Sequence, residues 1–280
     1  MGKIAVVTDS TADLPSRLIE EYNINVIPLK VRLDGKEYED GIDISREEFL
    51  DKLEESNQVP TTSQPPIGKF LDLYKALAKE YDQILSLHFS EKLSGTIKTA
   101  HLAANMLEDI DIKVIDSETV TVPLGVMVVE IAKAVKAGKQ MNELINLIAE
   151  LKESIKIYFT IDDLTYLERG GRIGKATAFI GNLFNVKPML TIEAGEITPY
   201  KKLRGEKRLY KEFMGLAEKE LEGNTGHKLV IIYGKYLDKA NQLKEILTQN
   251  FEWEEIDMLQ FGSVVGAHVG PTPFGMIVYK

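Results

Sequence analysis

The fold class is decided by residues 3–15, which read KIAVVTDSTADLP. A short run of β-branched and small apolar residues ends at Asp9, which is typical of a buried strand. Asp13 followed by Pro15 is a typical start of a helix. The stretch therefore predicts a strand followed by a helix, the first half of a β-α-β unit.

The same succession of a strand and a helix recurs along the first half of the chain. Further strands are predicted at residues 24–33, 83–87 and 113–115. Helices are predicted to begin near Ser45, Pro66, Ser94 and Pro123, each with capping or first-turn residues. This alternation predicts a mainly parallel sheet with flanking helices.

After about Ser154 the pattern becomes less regular. Strand candidates at 187–192, 229–233 and 276–279 are joined by irregular, Gly-rich or basic connections, which favours a mixed or antiparallel sheet with helices. We therefore expect two α/β domains, residues 1–154 and residues 155–280, with segment 60–82 a candidate for packing with the second domain. No Pro- or Ser-rich linker separates them, so a ligand is expected in a cleft between the domains.

Composition narrows the function classes. The 280 residues include 34 Lys plus Arg and 43 Asp plus Glu, a formal charge of -9, which argues against general binding of nucleic acid or anionic membranes. The absence of cysteine excludes disulfides, thiolate metal sites and cysteine nucleophiles. The apolar stretch 120–134 is interrupted and short, so we expect no transmembrane segment and, by default, a cytoplasmic location.

Two hydroxyl residues stand where strands give way to helices. Ser94 precedes Gly95 and opens a helix, whose free N–H groups and dipole favour an anion. Thr62 lies in a similar position one loop earlier, so both hydroxyls could face the same anion. The alternative for each is a helix cap without a ligand.

None of the four histidines has the spacing of a helical metal pair, and we expect no metal site. His268 lies between Gly266 and Gly270, which predicts a tight loop with close backbone approach, or simply a loop histidine bonded to backbone. Ser94 and His268 could also be a nucleophile and base, oriented by Asp9 or Asp116. That alternative is weakened by Lys92, where a nucleophile elbow would carry glycine.

Positive charge is concentrated in the second half, at Arg169, at Arg172 and across residues 201–208. Such a cluster either steers an acidic partner surface or is a solvated loop and helix start. Residues 170–175, GGRIGK, match neither phosphate-binding motif, so they predict a turn before a helix over 176–184.

Taken together, several motifs resemble the DegV family in order and over nearly the whole chain. They are VTDSTADLP at 7–15, TTSQP at 61–65, LSGT at 93–96, VIDS at 114–117, GGRIG at 170–174 and AHVGP at 267–271. The resemblance implies a cytoplasmic carrier without a cofactor, which holds one long-chain fatty acid in a hydrophobic tunnel. It further implies that a separate fatty acid kinase, which supplies ATP and Mg²⁺, phosphorylates the presented carboxylate for phospholipid synthesis.

The resemblance also implies roles for single residues. Thr62, Ser94, the Gly95 N–H and His268 match the carboxylate-binding groups, whereas Arg172 and Arg204 match the surface that docks the kinase. Residues 270–273 read GPTP, where the family more often has glycine after the first proline. Two alternative functions remain open: a Ser94/His268 acyl-ester hydrolase and a phosphoryl-transfer domain.

Overall fold

The computed structural model describes residues 2–180, 186–222 and 225–280. The strands are β1 Ile4–Asp9, β2 Asn25–Ile27, β3 Lys30–Leu33, β4 Lys36–Glu39, β5 Thr61–Ser63, β6 Gln83–His88, β7 Asp111–Asp116, β8 Lys156–Thr160, β9 Lys187–Glu193, β10 Glu196–Leu203, β11 Lys228–Tyr233, β12 Glu255–Gln260 and β13 Phe274–Tyr279. The helices are α1 Ser16–Glu21, α2 Arg46–Glu55, α3 Ile67–Leu77, α4 Thr96–Asn105, α5 Val122–Lys136, α6 Met141–Ser154, α7 Thr165–Arg169, α8 Glu206–Leu221, α9 Leu237–Asn250 and α10 Ser263–Val269. Two 3-10 turns cover Ser10–Ala12 and Gly174–Phe179.

The first half forms the predicted parallel sheet, in the order β2-β1-β6-β7. Every residue of β1 is buried, because α3 and α4 cover one face of the sheet and α5 and α6 cover the other. The carboxyl ends of β1, β6 and β7 lie at one edge, where Asp9, His88 and Asp116 end the strands. This edge is where ligands bind in open α/β sheets.

The single extended run predicted at 24–33 is wrong, because the segment forms two strands in two different sheets. β2 pairs with β1, whereas β3 pairs antiparallel with β4 and β5 in a separate three-stranded sheet. Pro28 lies between them and has no N–H to give to a ladder, which ends β2. The Leu29 N–H instead bonds to Ser10 Oγ at 3.1 Å.

The second half contains a six-stranded mixed sheet in the order β10-β9-β8-β13-β11-β12. Only β11 and β12 are parallel neighbours. Helices α8 and α9 pack on one face of it. Helix α6 ends at Ser154 and β8 begins at Lys156, while the division into domains at residues 154 and 155 stays a prediction.

The largest apolar cluster joins the two halves. It contains residues of β3, α2 and α5 together with residues of β8, β11 and α10. Helix α10 lies against α2 so closely that a Cβ on Gly266 would be 2.9 Å from Leu50 Cδ2. Segment 60–82 contacts both halves of the protein. Its strand β5 contacts α10 of the second half, whereas Phe70 and Tyr74 of α3 pack beneath the parallel sheet of the first half.

The helix predicted over 176–184 is confirmed only in part. Residues 176–179 are helical, but they belong to a 3-10 helix, Gly174–Phe179, which begins earlier than predicted and has Ile180 as its C-cap; residues 181–184 lie outside the described part of the chain. Gly174 has a φ of 52° and lies against the backbone of β10, where a Cβ would be 2.8 Å from the Ile197 carbonyl oxygen. This contact bends the chain away from a regular helix.

Candidate functional site

A cavity of about 320 Å³ lies between the two halves, at the carboxyl edge of the parallel sheet. Its apolar wall is contributed by both halves and consists of Leu29, Phe89, Leu93, Val120, Leu167, Ile197, Val264, Val265 and Val269. Its polar groups include Thr62, Gln64, Ser94, Arg172 and His268. The cavity thus joins a long apolar surface to a small polar end, which is the usual composition of a site for an amphipathic ligand.

A second, smaller cavity of about 40 Å³ extends this apolar surface. The two cavities share Val120, Ile197, Val265 and Val269 as lining residues, and the smaller one exposes no polar surface. It continues between the second sheet and α10, past Phe159 and Phe261. The four shared residues place the two cavities side by side, and we refer to the two cavities together as the tunnel.

The structure brings Thr62 and His268 together, although 206 positions separate them. His268 Nε2 and Thr62 Oγ1 form a hydrogen bond at 2.8 Å. Strand β5 carries Thr62, and pairing with β3 holds that strand beside α10. Both side chains line the cavity.

The loop predicted around His268 is wrong, because the residue lies in the last turn of α10. The flanking glycines have other reasons: Gly266 allows close contact with Leu50, and Gly270 ends the helix with a φ of 77°. The alternative of a histidine bonded to backbone is also wrong, since the ring bonds to the Thr62 side chain.

His268 is neutral at physiological pH in the ligand-free protein. Burial, reinforced by the positive charge of Arg172, lowers its pKa to about 4. Its Nδ1 atom is buried without a hydrogen-bond partner in the described chain and lies against Gly170, where a Cβ would be 2.4 Å away. The ring therefore has one nitrogen, Nε2, that can serve a ligand in the cavity.

Ser94 and Gly95 begin α4 beside this pair. Ser94 Oγ accepts a hydrogen bond from the Thr96 N–H at 3.2 Å. The N-cap of α4 is Gly95 and no side chain caps the helix, so the capping role weighed for Ser94 is wrong. A Cβ on Gly95 would lie 2.3 Å from Gln64 Oε1. The missing Cβ of Gly95 thus leaves room for the end of the Gln64 side chain.

Sequence reasoning gave no role to Gln64, which also lines the polar end. Its Nε2 donates to Thr99 Oγ1 at 2.9 Å, which holds the side chain across the start of α4. The residue was already inside the TTSQP motif, but no local pattern separated it from its neighbours.

Arg172 and Arg204, expected on the same docking surface, have different surroundings. Arg172 is partly buried and lines the cavity; its Nε donates to the Leu93 carbonyl at 2.9 Å and its Nη1 to the Gly170 carbonyl at 2.7 Å. It therefore ties the Gly-rich turn to the loop before Ser94. Arg204 is exposed between β10 and α8 and does not line the cavity.

No catalytic triad is assembled around Ser94 and His268 in the described residues. Asp9 is buried and bonds to His88 Nδ1 at 2.8 Å, and His88 Nε2 continues to Ser86 Oγ at 2.8 Å. Asp116 accepts the backbone N–H groups of Glu91 and Glu118 instead. Since neither acid reaches His268, its imidazole has no orienting carboxylate.

Two kinds of feature are absent from the described ranges, 2–180, 186–222 and 225–280. They contain no cluster of three or more His, Asp or Glu side chains arranged to hold a metal ion. None of their helices combines the length and apolar character needed to cross a bilayer.

Comparison with known proteins gives consistent matches along the whole chain. The model of the DegV family, described as an uncharacterised protein family, matches residues 3–280. Protein DegV of Bacillus subtilis is 35% identical over 274 residues, which cover 98% of each chain. A structure of a DegV family protein from Thermus thermophilus, described as fatty acid binding, superposes with a TM-score of 0.94 at 34% identity and covers 99% of both chains.

A further solved structure is that of a stearic acid-binding protein from Eubacterium ventriosum. It has a TM-score of 0.89 at 27% identity and covers 100% of this chain and 98% of that one. The α/β architecture described above is therefore the architecture of these proteins.

Proposed function

The chain belongs to the DegV family, and from this membership and the geometry of its cavity we propose that it binds one long-chain fatty acid. The acyl chain would occupy the apolar tunnel, and the carboxylate would lie among Thr62, Ser94, Gly95 and His268. Fatty acid binding described for the Thermus thermophilus and Eubacterium ventriosum relatives supports this proposal.

One observation carries the proposal: a cavity that has polar and apolar lining residues adjoins a second cavity with an almost entirely apolar lining. A carboxylate buried without partners is prohibitively costly, so a tunnel for a fatty acid must end in several donors. Thr62, Ser94, Gly95 and His268 all line the larger cavity and would supply these donors, and Arg172, which also lines it, would add a positive charge. These groups suit a monoanion better than a neutral ester.

The apolar wall accounts for the affinity that a carrier needs. Each buried CH₂ group contributes about 0.8 kcal/mol, so a chain of roughly fifteen such groups has a ceiling near 12 kcal/mol. Part of this is lost as translational, rotational and chain entropy. The remainder still supports tight binding without extensive polar recognition.

We further propose that the protein is a cytoplasmic carrier and not an enzyme. It would present the bound carboxylate to a separate fatty acid kinase, which would form the acyl phosphate used in phospholipid synthesis. Arg204, exposed beside the basic segment 201–208, and Arg172 at the cavity would contribute to the kinase surface. The internal bonds of Arg172 suggest that it serves the carboxylate as well as any partner.

Native mass spectrometry of freshly purified protein tests the binding function. We expect one fatty acid per chain, identified by solvent extraction and mass analysis. Protein that is empty and also fails to take up added stearic acid would refute the proposal.

Two enzymatic assays separate the alternatives. Sustained, Ser94-dependent hydrolysis of a p-nitrophenyl acyl ester would favour the hydrolase, which the missing orienting acid at His268 argues against. Acyl phosphate formed with ATP and Mg²⁺ but without a partner would favour a phosphoryl-transfer domain. We expect neither.

A further inference from the structure

Helix α10, which carries His268, begins on two carboxylates from the other half of the protein. Asp13 Oδ1 accepts the Gly262 N–H at 2.9 Å, and Asp40 Oδ1 accepts the Ser263 N–H at 3.1 Å. Both acids are buried, at 2% and 4% exposure. The first N–H groups of this helix are therefore satisfied from the first half and not by α10 itself.

Surrounding groups fix the two carboxylates. The Thr121 hydroxyl donates to Asp13 Oδ2 at 2.6 Å, and Thr121 also lines the inner end of the tunnel. The Arg46 guanidinium lies near both acids and donates to the Gln260 and Leu14 carbonyls at 2.8 and 3.0 Å. It thereby joins the segment before α10 to the segment that follows Asp13.

The backbone shows how tightly this contact is made. A Cβ on Gly262 would lie 2.4 Å from Asp13 Oδ1, so only glycine allows the carboxylate to approach. Asp13 and Thr121 have left-handed φ values of 49° and 59°, which are costly for residues with a side chain. Such strain persists only where the surrounding contacts outweigh it.

Helix α10 depends on contacts of this kind. It has seven residues, fewer than two turns, and a helix of this length has no stability of its own in water. Yet it supplies Val264, Val265, His268 and Val269 to the cavity. The position of the His268 ring relative to Thr62 therefore depends on what holds the start of α10.

We propose that Asp13 and Asp40 are positioning residues for the ligand site: they clasp the start of α10 and thereby set His268 against Thr62 and the valines against the acyl chain. The inference rests on the proposed fatty-acid function and adds to it two residues that do not touch the ligand. It also explains why two acids are buried at the contact between the two halves, since burying an acid without hydrogen-bond partners would be unfavourable.

Substitutions at Asp13 separate the carboxylate from the backbone strain. Asp13→Asn keeps an acceptor for Gly262, and the Thr121 hydroxyl can rotate to accept from the new amide. Asp13→Gly removes the acceptor but tolerates the left-handed φ, so any loss comes from the missing side chain. Thr160→Val is the matched control: it removes a buried hydroxyl that bonds to the Pro188 carbonyl at 2.9 Å, in the second sheet and not in α10.

The experiment measures stearic acid affinity of the delipidated full chain by calorimetry. It also measures the imidazole nitrogen resonances of His268, assigned with His268→Gln. We expect Asp13→Gly to bind stearic acid about tenfold more weakly than wild type and to shift the Nε2 resonance. Asp13→Asn should bind within about threefold of wild type. Thr160→Val should lose stability at unchanged affinity. Asp40→Ala removes the acceptor of the Ser263 N–H at a position without a left-handed backbone, and serves as the second variant should Asp13→Gly not fold.

Two outcomes overturn the inference. One is a folded Asp13→Gly or Asp40→Ala protein with wild-type affinity and an unchanged Nε2 resonance. The other is a Thr160→Val protein that loses as much stability as Asp13→Gly and also loses as much affinity for stearic acid. If wild type itself takes up no stearic acid, the proposed function fails, while the His268 resonance still reports whether Asp13 positions α10.

Discussion

Replacing His268 by glutamine and by alanine tests how the carboxylate is recognised. The ring offers only Nε2 to the cavity and is neutral at pH 7, because burial lowers its pKa to about 4. A glutamine side chain can place an N–H donor near the position of Nε2, whereas alanine offers none. We therefore expect His268→Gln to retain most of the affinity and His268→Ala to lose it.

The size of the loss follows from the hydrogen bonds at the polar end. A hydrogen bond to a charged acceptor contributes about 1.5–3 kcal/mol, which corresponds to roughly 10- to 150-fold in affinity. Thr62 is freed from its bond to the ring in His268→Ala and its hydroxyl can turn to the ligand, so the lower end applies. We expect about 10- to 30-fold weaker binding for alanine, and about threefold for glutamine.

Calorimetric titration of the delipidated protein with stearic acid at pH 6, 7 and 8 measures these values. We expect wild-type affinity to change little over this range, on the premise that the ring is neutral in the bound protein as well as in the free one. His101→Gln, on the exposed face of α4, is the control and should bind as wild type. The reasoning is refuted if glutamine is as weak as alanine and wild-type affinity rises steeply towards pH 6, which would require a charged imidazole.

Three further predictions concern stability and the mouth of the cavity. Burial raises the pKa of Asp13 from 3.8 to about 7, so the folded state favours the protonated acid. The free energy of unfolding should therefore fall by up to about 4 kcal/mol as pH rises from about 4 to about 7. Urea unfolding of Asp13→Asn should lack this pH dependence. Gly95→Ala should weaken fatty acid binding with little change in melting temperature, because the new Cβ displaces the exposed Gln64 side chain and not the backbone; a large fall in melting temperature would contradict this. Gly275→Ala should cost more than about 3 kcal/mol by urea unfolding, since its Cβ would lie 2.2 Å from the Tyr158 carbonyl oxygen in the centre of the second sheet; near-native stability would show that the strands can separate there.

The parallel sheet was predictable because its pattern is local. Each strand is a short apolar run and each following helix has caps or a periodic face. Residues 4–8 of the run that begins at Lys3, and all of residues 83–87 and 113–115, therefore fall within observed strands. The helix cap at Ser45 could likewise be predicted from neighbouring residues: its Oγ accepts the Glu48 N–H at 3.1 Å.

The remaining elements depend on distant partners. Strand β5 has only three residues and exists because β3 pairs with it. Helix α10 looked like a loop because two glycines flank His268, and only the contacts with Leu50 and with the two buried acids make it a helix.

The polar residues of the cavity likewise depend on partners that are distant in the sequence. Thr62, Ser94 and His268 each had a local interpretation as a cap or loop residue, and no spacing brought them together. Their convergence was expected only through the family resemblance, and the structure places Thr62 and His268 in contact. Asp13 looked like an ordinary helix start, because its partner Gly262 lies 249 positions away.

The order of strands in the second sheet has a consequence for how the protein is made. Strand β13 has the highest residue numbers of the strands in the described part of the chain, yet it lies in the middle of the sheet, between β8 and β11. While the ribosome is still adding residues before Phe274, β8 and β11 have no neighbour between them, and the nascent sheet is in two parts. Since chains grow at about 5–20 residues per second, the parallel sheet has several seconds to fold first. We therefore expect the tunnel to close only after translation has passed Tyr279, so that a nascent chain cannot capture lipid before it is fully synthesised to that point.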